Sequence, residues 1–174
     1  MQNHIRYCIF TMIKCNYLAK ILPCNEMIPY GEMVDHLKNK HKAFECRTEA
    51  SGEIKDIVYS IPNASNAYSR PIIAKIDDST FVLNHVTRDN SLICWVTILG
   101  TEENAQKYEV KITAAPNDAS AKTRGKVYSI AMSTEDILKD PSGTLYIGKN
   151  MADKMAVMRD GTPRIHTDYH IIRK

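Results

Sequence analysis

The sequence predicts a mainly β protein: an antiparallel β-sandwich of about eight strands, preceded by a small element rich in cysteine and histidine. Three observations predict it. After Phe44, short runs rich in Val, Ile, Tyr and Thr recur at close intervals between turn residues. One run, Ser91 to Leu99, is apolar on both faces, as a central strand of a two-layer body must be. Before residue 46 the pattern differs. Cys15, Cys24, His36 and His41 are spaced C-x8-C-x11-H-x4-H, a set of soft or borderline ligands that suits tetrahedral structural zinc. The first gap is wider than the two to four residues of DNA-reading fingers.

The amino-terminal element is built around one helix. Residues 29–42, PYGEMVDHLKNKHK, carry Met33, Val34 and Leu37 at helical spacing, and the Lys-rich end suits the negative pole of the helix dipole. His36 and His41 are five apart, so they reach a common point only if the last turn loosens. The body then begins, which sets domain boundaries at 1–45 and 46–174. Strands are expected at Ile54 to Ile61, Pro71 to Ile76, Thr80 to Val86, Ser91 to Leu99, Tyr108 to Ala114, Gly125 to Ile130, Thr144 to Ile147 and Arg164 to Ile172. Thr87 to Asn90 reads as a hairpin connection. In the long central run, Leu92, Cys94, Val96 and Ile98 share one face, and Ile93, Trp95, Thr97 and Leu99 the other. In the last run, His166, Asp168 and His170 alternate with apolar residues, as on a half-exposed strand. Short helices are expected near Ser133 to Lys139 and Lys149 to Met158. Strands this many and this short indicate a sandwich.

Composition narrows the function classes. At 174 residues the chain should bury roughly 70% of its unfolded surface, enough for a body without staples. The first 45 residues bury little alone, and there a metal adds folding energy. The formal charge of +3 is spread along the chain, unlike the basic stripe of a nucleic-acid binder. Five cysteines, an odd number with three close to histidines, argue for a reducing compartment rather than a disulfide framework. Met1 to Leu22 is interrupted by Arg6, Lys14 and Lys20, and no apolar run reaches membrane-spanning length. The expected location is cytoplasmic or nuclear.

With these residues in place, the chain resembles the seven-in-absentia (Sina) family of RING-type ubiquitin ligases. His4 and Cys8 form H-x3-C, Cys15 follows after six residues, and Cys24, His36 and His41 repeat the family's C-x11-H-x4-H. The Cys15–Cys24 gap is two residues longer than in the family. WVTILGTEENAQKYEVKI (95–112), TLYIGKNMADKM (144–155) and Asp56-Ile57-Val58 are similar to family stretches in the same order. The resemblance implies a SIAH-type zinc finger with Cys15, Cys24, His36 and His41 as zinc ligands, followed by a TRAF-like sandwich. His4 and Cys8 would be half of an incomplete first finger. The RING that recruits the ubiquitin-conjugating enzyme is absent from this sequence.

The implied function is recruitment. In the family the sandwich takes target and adaptor proteins that carry an extended Pro-x-Ala-x-Val-x-Pro motif, which adds beside an edge strand. The matching stretches here are about 50–57 and 71–76, with Ile54, Ile72 and Ala74 as the residues to carry it. A homodimer is implied as well. An alternative keeps the binding and drops the ligase: a RING-less scaffold that competes with true ligases for targets. No catalytic group is evident. His85, His166 and His170 lie on strands without an obvious partner, Cys94 reads as a small core residue, and Cys46 as a free thiol. Neither nucleic acid nor membrane is an expected partner.

Overall fold

The computed structural model describes residues 11–19, 22–46, 48, 51–60, 70–88, 91–114 and 120–174. Two small hairpins come first: β1 (Met12–Lys14) pairs with β4 (Met27–Pro29), and between them β2 (Leu18–Ala19) pairs with β3 (Leu22–Pro23). A 3-10 turn at Tyr30–Glu32 leads into helix α1 (Met33–His41), followed by β5 (Phe44–Glu45). The body follows with β6 (Glu53–Ser60), β7 (Ile72–Ile76), β8 (Ser79–Arg88), β9 (Ser91–Ile98), α2 (Glu102–Ala105), β10 (Tyr108–Ala114), β11 (Ala121–Lys126) and β12 (Tyr128–Ser129). It ends with α3 (Thr134–Lys139), a 3-10 turn at Pro141–Gly143, β13 (Thr144–Ile147), α4 (Lys149–Met155), β14 (Val157–Arg159) and β15 (Thr162–Arg173).

The strands form two layers. In the first, β9 is central: β8 flanks it on one side, β13 and β12 share the other, and β7 then β5 continue outward from β8. In the second, β11, β10 and β15 run in order, and β6 lies against β15. Most pairs are antiparallel; the two-residue additions β5–β7 and β12–β9 are parallel. The molecule is therefore mainly β and matches the expected antiparallel sandwich.

Alternation along the strands sorts the side chains between layers. Ala74, Leu83, Cys94 and Val96 of the first sheet meet Ile54, Tyr59, Val110, Ile165 and Tyr169 of the second in one buried core. Ala152 and Met155 of α4 close one end of that core. The opposite face of the first sheet is covered too. Ile73 and Val82 pack against Cys15, Met33 and Leu37 of the amino-terminal element, and Val86 and Trp95 pack against Tyr128 and Ile137 of α3. β8 and β9 are thus buried on both faces, which is why the 91–99 run lacks polar alternation. The outward face of β15 stays open, with Asp168 exposed and His166 and His170 half-buried.

Three details differ from the expected strands. The 125–130 run splits at Val127: β11 belongs to one sheet and β12 to the other. Tyr128 fixes this crossing, since its hydroxyl donates to the Asp140 carbonyl at 2.9 Å and accepts from the Gly143 amide at 3.0 Å. A Cβ on Gly125 would stand 1.7 Å from the Ser142 carbonyl oxygen, so the close crossing of β11 over the 141–143 turn demands glycine. The helix from Lys149 stops at Met155. Asp160 and Gly161, both left-handed at φ 50° and 72°, then turn β14 back onto β15, the conformation favoured in tight hairpins. In the 87–90 connection, Thr87 and Arg88 still belong to β8; Asp89 and Asn90 lie outside the described residues.

Candidate metal centre

Cys15 follows β1, Cys24 follows β3, and His36 and His41 come from α1. Backbone hydrogen bonds fix the cysteines. The Cys15 amide donates to the Glu26 carbonyl (2.7 Å), the Cys24 amide to Tyr17 (3.0 Å) and the Asn25 amide to Cys15 (3.0 Å), with Asn25 left-handed at φ 56°. The two thiols therefore face each other across one knuckle. On the helix, Met33, Leu37 and His41 form the buried stripe. Five residues turn an α-helix through about 500°, which would leave His36 and His41 roughly 140° apart. The last turn widens to bring them together. The amides of Lys42 and Ala43 both reach back to the Leu37 carbonyl, and Lys42 is left-handed at φ 56°. This is the loosening that the sequence spacing requires.

The ligand atoms of Cys15, Cys24, His36 and His41 all lie within 4.8 Å of one another. Sγ of Cys15 is 3.4 Å from Nε2 of His41, Sγ of Cys24 is 3.5 Å from Nε2 of His36, and the two Nε2 atoms are 3.1 Å apart. A tetrahedral ion with bonds of ~2.3 Å to sulfur and ~2.0 Å to nitrogen needs N–N and S–N edges of roughly 3.3–3.6 Å. The four side chains fit that shape and can bind a metal ion.

Electrostatics agree with the geometry. Burial first, then His36 and Lys40, lower the His41 pKa to about 4, and burial also lowers that of His36. Both imidazoles are thus neutral, with lone pairs available. Burial pushes the Cys15 thiol up to about 12, so it ionises only beside a cation, as metal-bound thiols do. Two residues around the site gave no signal in the spacing. Glu26 sits 3.7 Å from Nδ1 of His36 and pairs with Lys40, as acidic partners commonly orient ligating histidines. The Tyr17 ring lies 4.6 Å from the His41 ring and shields it.

The other expected site residues fall elsewhere. His4 and Cys8 lie outside the described residues. Ile54, Ile72 and Ala74 are 1%, 2% and 0% exposed and belong to the inner core; their side chains face between the sheets. Cys94 is a core residue, as expected, at 0% exposure. His85 is buried with its ring 3.8 Å from that of Tyr59. Cys46 stands beside β7, donating its amide to the Ile73 carbonyl at 2.9 Å. Among the described residues no helix is long and apolar enough to cross a membrane. No family model matches the chain, and no curated protein matches it.

Proposed function

We propose that the Cys15–Cys24–His36–His41 cluster holds a structural zinc ion, and that the chain recruits proteins as the target-binding region of a Sina-type ubiquitin ligase. One observation carries this reading: a convergent two-cysteine, two-histidine set is docked on an antiparallel sandwich that keeps a strand edge open. Two thiolates and two imidazoles favour zinc, and four protein ligands fill its tetrahedron and leave no position for a substrate. The ion then acts as a fastener for residues 11–45, which have little core of their own.

Strand β6 is the surface for a partner. It pairs with β15 on one side, and no strand covers its other side among the described residues. Its first half is protected. Asp56 is left-handed at φ 60° in a bulge, its amide held by the Asp168 carboxylate at 2.8 Å and its own carboxylate 2.6 Å from Nδ1 of His166. Bulges and charges of this kind block unwanted pairing. The regular part, Ile57 to Ser60, is where an extended motif gains main-chain hydrogen bonds, while pockets beside it select side chains. Ile54, Ile72 and Ala74 support this edge from inside the core.

Two measurements test the reading. Elemental analysis of the purified chain is expected to give one zinc per chain, lost in Cys24→Ala and His36→Ala; a metal-free wild-type chain overturns the zinc assignment. A Pro-x-Ala-x-Val-x-Pro peptide is expected to bind the wild-type chain. Val58→Arg, at a 41% exposed position of β6, should weaken it about tenfold without changing the melting temperature. Equal affinities would remove β6 as the docking edge.

A further inference from the structure

We propose that a partly open cavity on the outer face of the first sheet binds a neutral small molecule carrying a primary carboxamide on an apolar ring. The inference is independent of the recruiting reading, and none of its polar contacts involves the four residues of the cysteine–histidine cluster.

Two coverings lie on that face. The amino-terminal element packs Cys15, Met33 and Leu37 on Ile73 and Val82, while Tyr128 and Ile137 pack on Val86 and Trp95. The coverings form separate clusters, and the cavity occupies the seam between them. One side of the seam is tied by Asn16. Its carbonyl accepts from the Thr134 hydroxyl at 2.9 Å, and its Nδ2 donates to the Met132 carbonyl at 3.3 Å. Tyr17, Ile130 and Met132 stand half-buried at the mouth, and Asn84, Trp95 and Thr97 of the sheet form the buried floor.

The floor is polar where a sheet covered on both faces favours apolar residues. Asn84 is 9% exposed and Trp95 5%. Nδ2 of Asn84 donates to the Val82 carbonyl at 2.9 Å and to the Thr97 hydroxyl oxygen at 3.1 Å. Both amide protons are thereby used, which leaves Oδ1 as an acceptor. Neither Asn84 Oδ1 nor the Trp95 indole N–H has a hydrogen-bond partner among the described residues. The partnerless side-chain atoms there that are sealed from water are Arg164 Nε and Thr167 Oγ1. Asn84 Oδ1 and Trp95 Nε1 therefore border open space, and the cavity is the space that both side chains line. A buried acceptor and donor left unmatched cost stability until something pairs with them. A primary carboxamide answers both, with its N–H to Asn84 and its carbonyl to Trp95. No Asp, Glu, Lys or Arg lines the cavity, so a charged head would lose its hydration without compensation. The enclosed volume is about 40 Å³, well below the ~150 Å³ that admits a benzene ring. It takes the amide head, while the ring stays in the seam against Tyr17, Ile130 and Met132. A molecule seated there bridges both coverings and the sheet, so its binding stabilises their contact.

Trp95 is the single tryptophan, so its indole N–H gives one resolved magnetic-resonance signal to follow in the full chain. Benzamide should move that signal saturably. Acetophenone, the same shape with a methyl in place of the amino group, should bind at least about tenfold more weakly, and benzoate should leave the signal in place. Asn84→Leu removes the acceptor and should erase the preference for benzamide over acetophenone. Met132→Phe crowds the mouth without touching the floor and should weaken benzamide by about tenfold. Should Asn84→Leu not fold, the ligand series on the wild-type chain and Met132→Phe decide alone. An indole signal that benzamide does not saturate, or equal affinities of benzamide and acetophenone for the wild-type chain, overturns the proposal and leaves the cavity to water. A folded Asn84→Leu that keeps the preference, or Met132→Phe with undiminished affinity, overturns it as well.

Discussion

His85 shows at residue scale how the body constrains a titratable group. It lies on β8, 5% exposed, with its ring against Tyr59, whose hydroxyl is 2.5 Å from that of Tyr169. Burial lowers its pKa to about 3. The unfolded chain, with an ordinary value near 6.5, therefore takes up a proton that the folded chain refuses. Stability is unaffected above that value and falls as pH drops from about 6.5 toward 3, by on the order of 2–4 kcal/mol at pH 4. In His85→Phe the acid-unfolding midpoint should move to lower pH, measured by circular dichroism against the wild-type chain. An unchanged midpoint would place the acid-sensitive group elsewhere. The sequence identified His85 as a strand histidine without an obvious partner. Its burial depended on Tyr59, 26 positions away, turning its ring toward it across the sandwich.

At the scale of elements, short helices survive here through caps and one packed residue. Helix α3 has six residues, too few to persist alone. Ser133 caps it: its hydroxyl accepts from the Asp136 amide at 3.1 Å and donates to the Asp136 carboxylate at 2.6 Å, while Ile137 packs beneath Trp95 and Tyr128. Ser133→Ala should cost about 1 kcal/mol, read from the denaturant midpoint. This helix was legible at Ser133 to Lys139 because capping is local chemistry. β5 was not legible, because Phe44 and Glu45 become a strand only when β7 offers its edge. The 125–130 run was read as one strand for a related reason: alternation marks extended chain and carries no information about which sheet each half joins.

At the scale of the molecule, the amino-terminal element and the body share a core. Ile73 and Val82 of the sandwich lie beneath Cys15, Met33 and Leu37, so packing couples the segments on either side of the boundary at residue 45. If the cluster holds a metal, as proposed, a chelator should release α1 and re-expose both aliphatic residues. The expected result is a fall in melting temperature of roughly 5–15 °C, from about 1.5–3 kcal/mol per side chain, with the inner core still protected from exchange. A melting curve indifferent to chelation would show that the element holds the sheet without metal. Residue pattern reached the sandwich and the candidate ligand quartet, because both are written as spacing. The resemblance offered Ile54, Ile72 and Ala74 as contact residues; their side chains are buried in the inner core.

Read alone, the chain specified the β-rich class, the core-forming strand at 91–99, and the four cysteine and histidine residues that could hold a metal ion. These are properties of residue type and interval, fixed before any long-range contact forms. Long-range contacts settled which strand edges stay open among the described residues, that Phe44 and Glu45 pair with β7, and that the cysteine- and histidine-rich element packs on the outer face of one sheet. Each of these depends on where chain segments far apart in sequence meet, and hydrogen-bond edges carry no signature in side-chain identity.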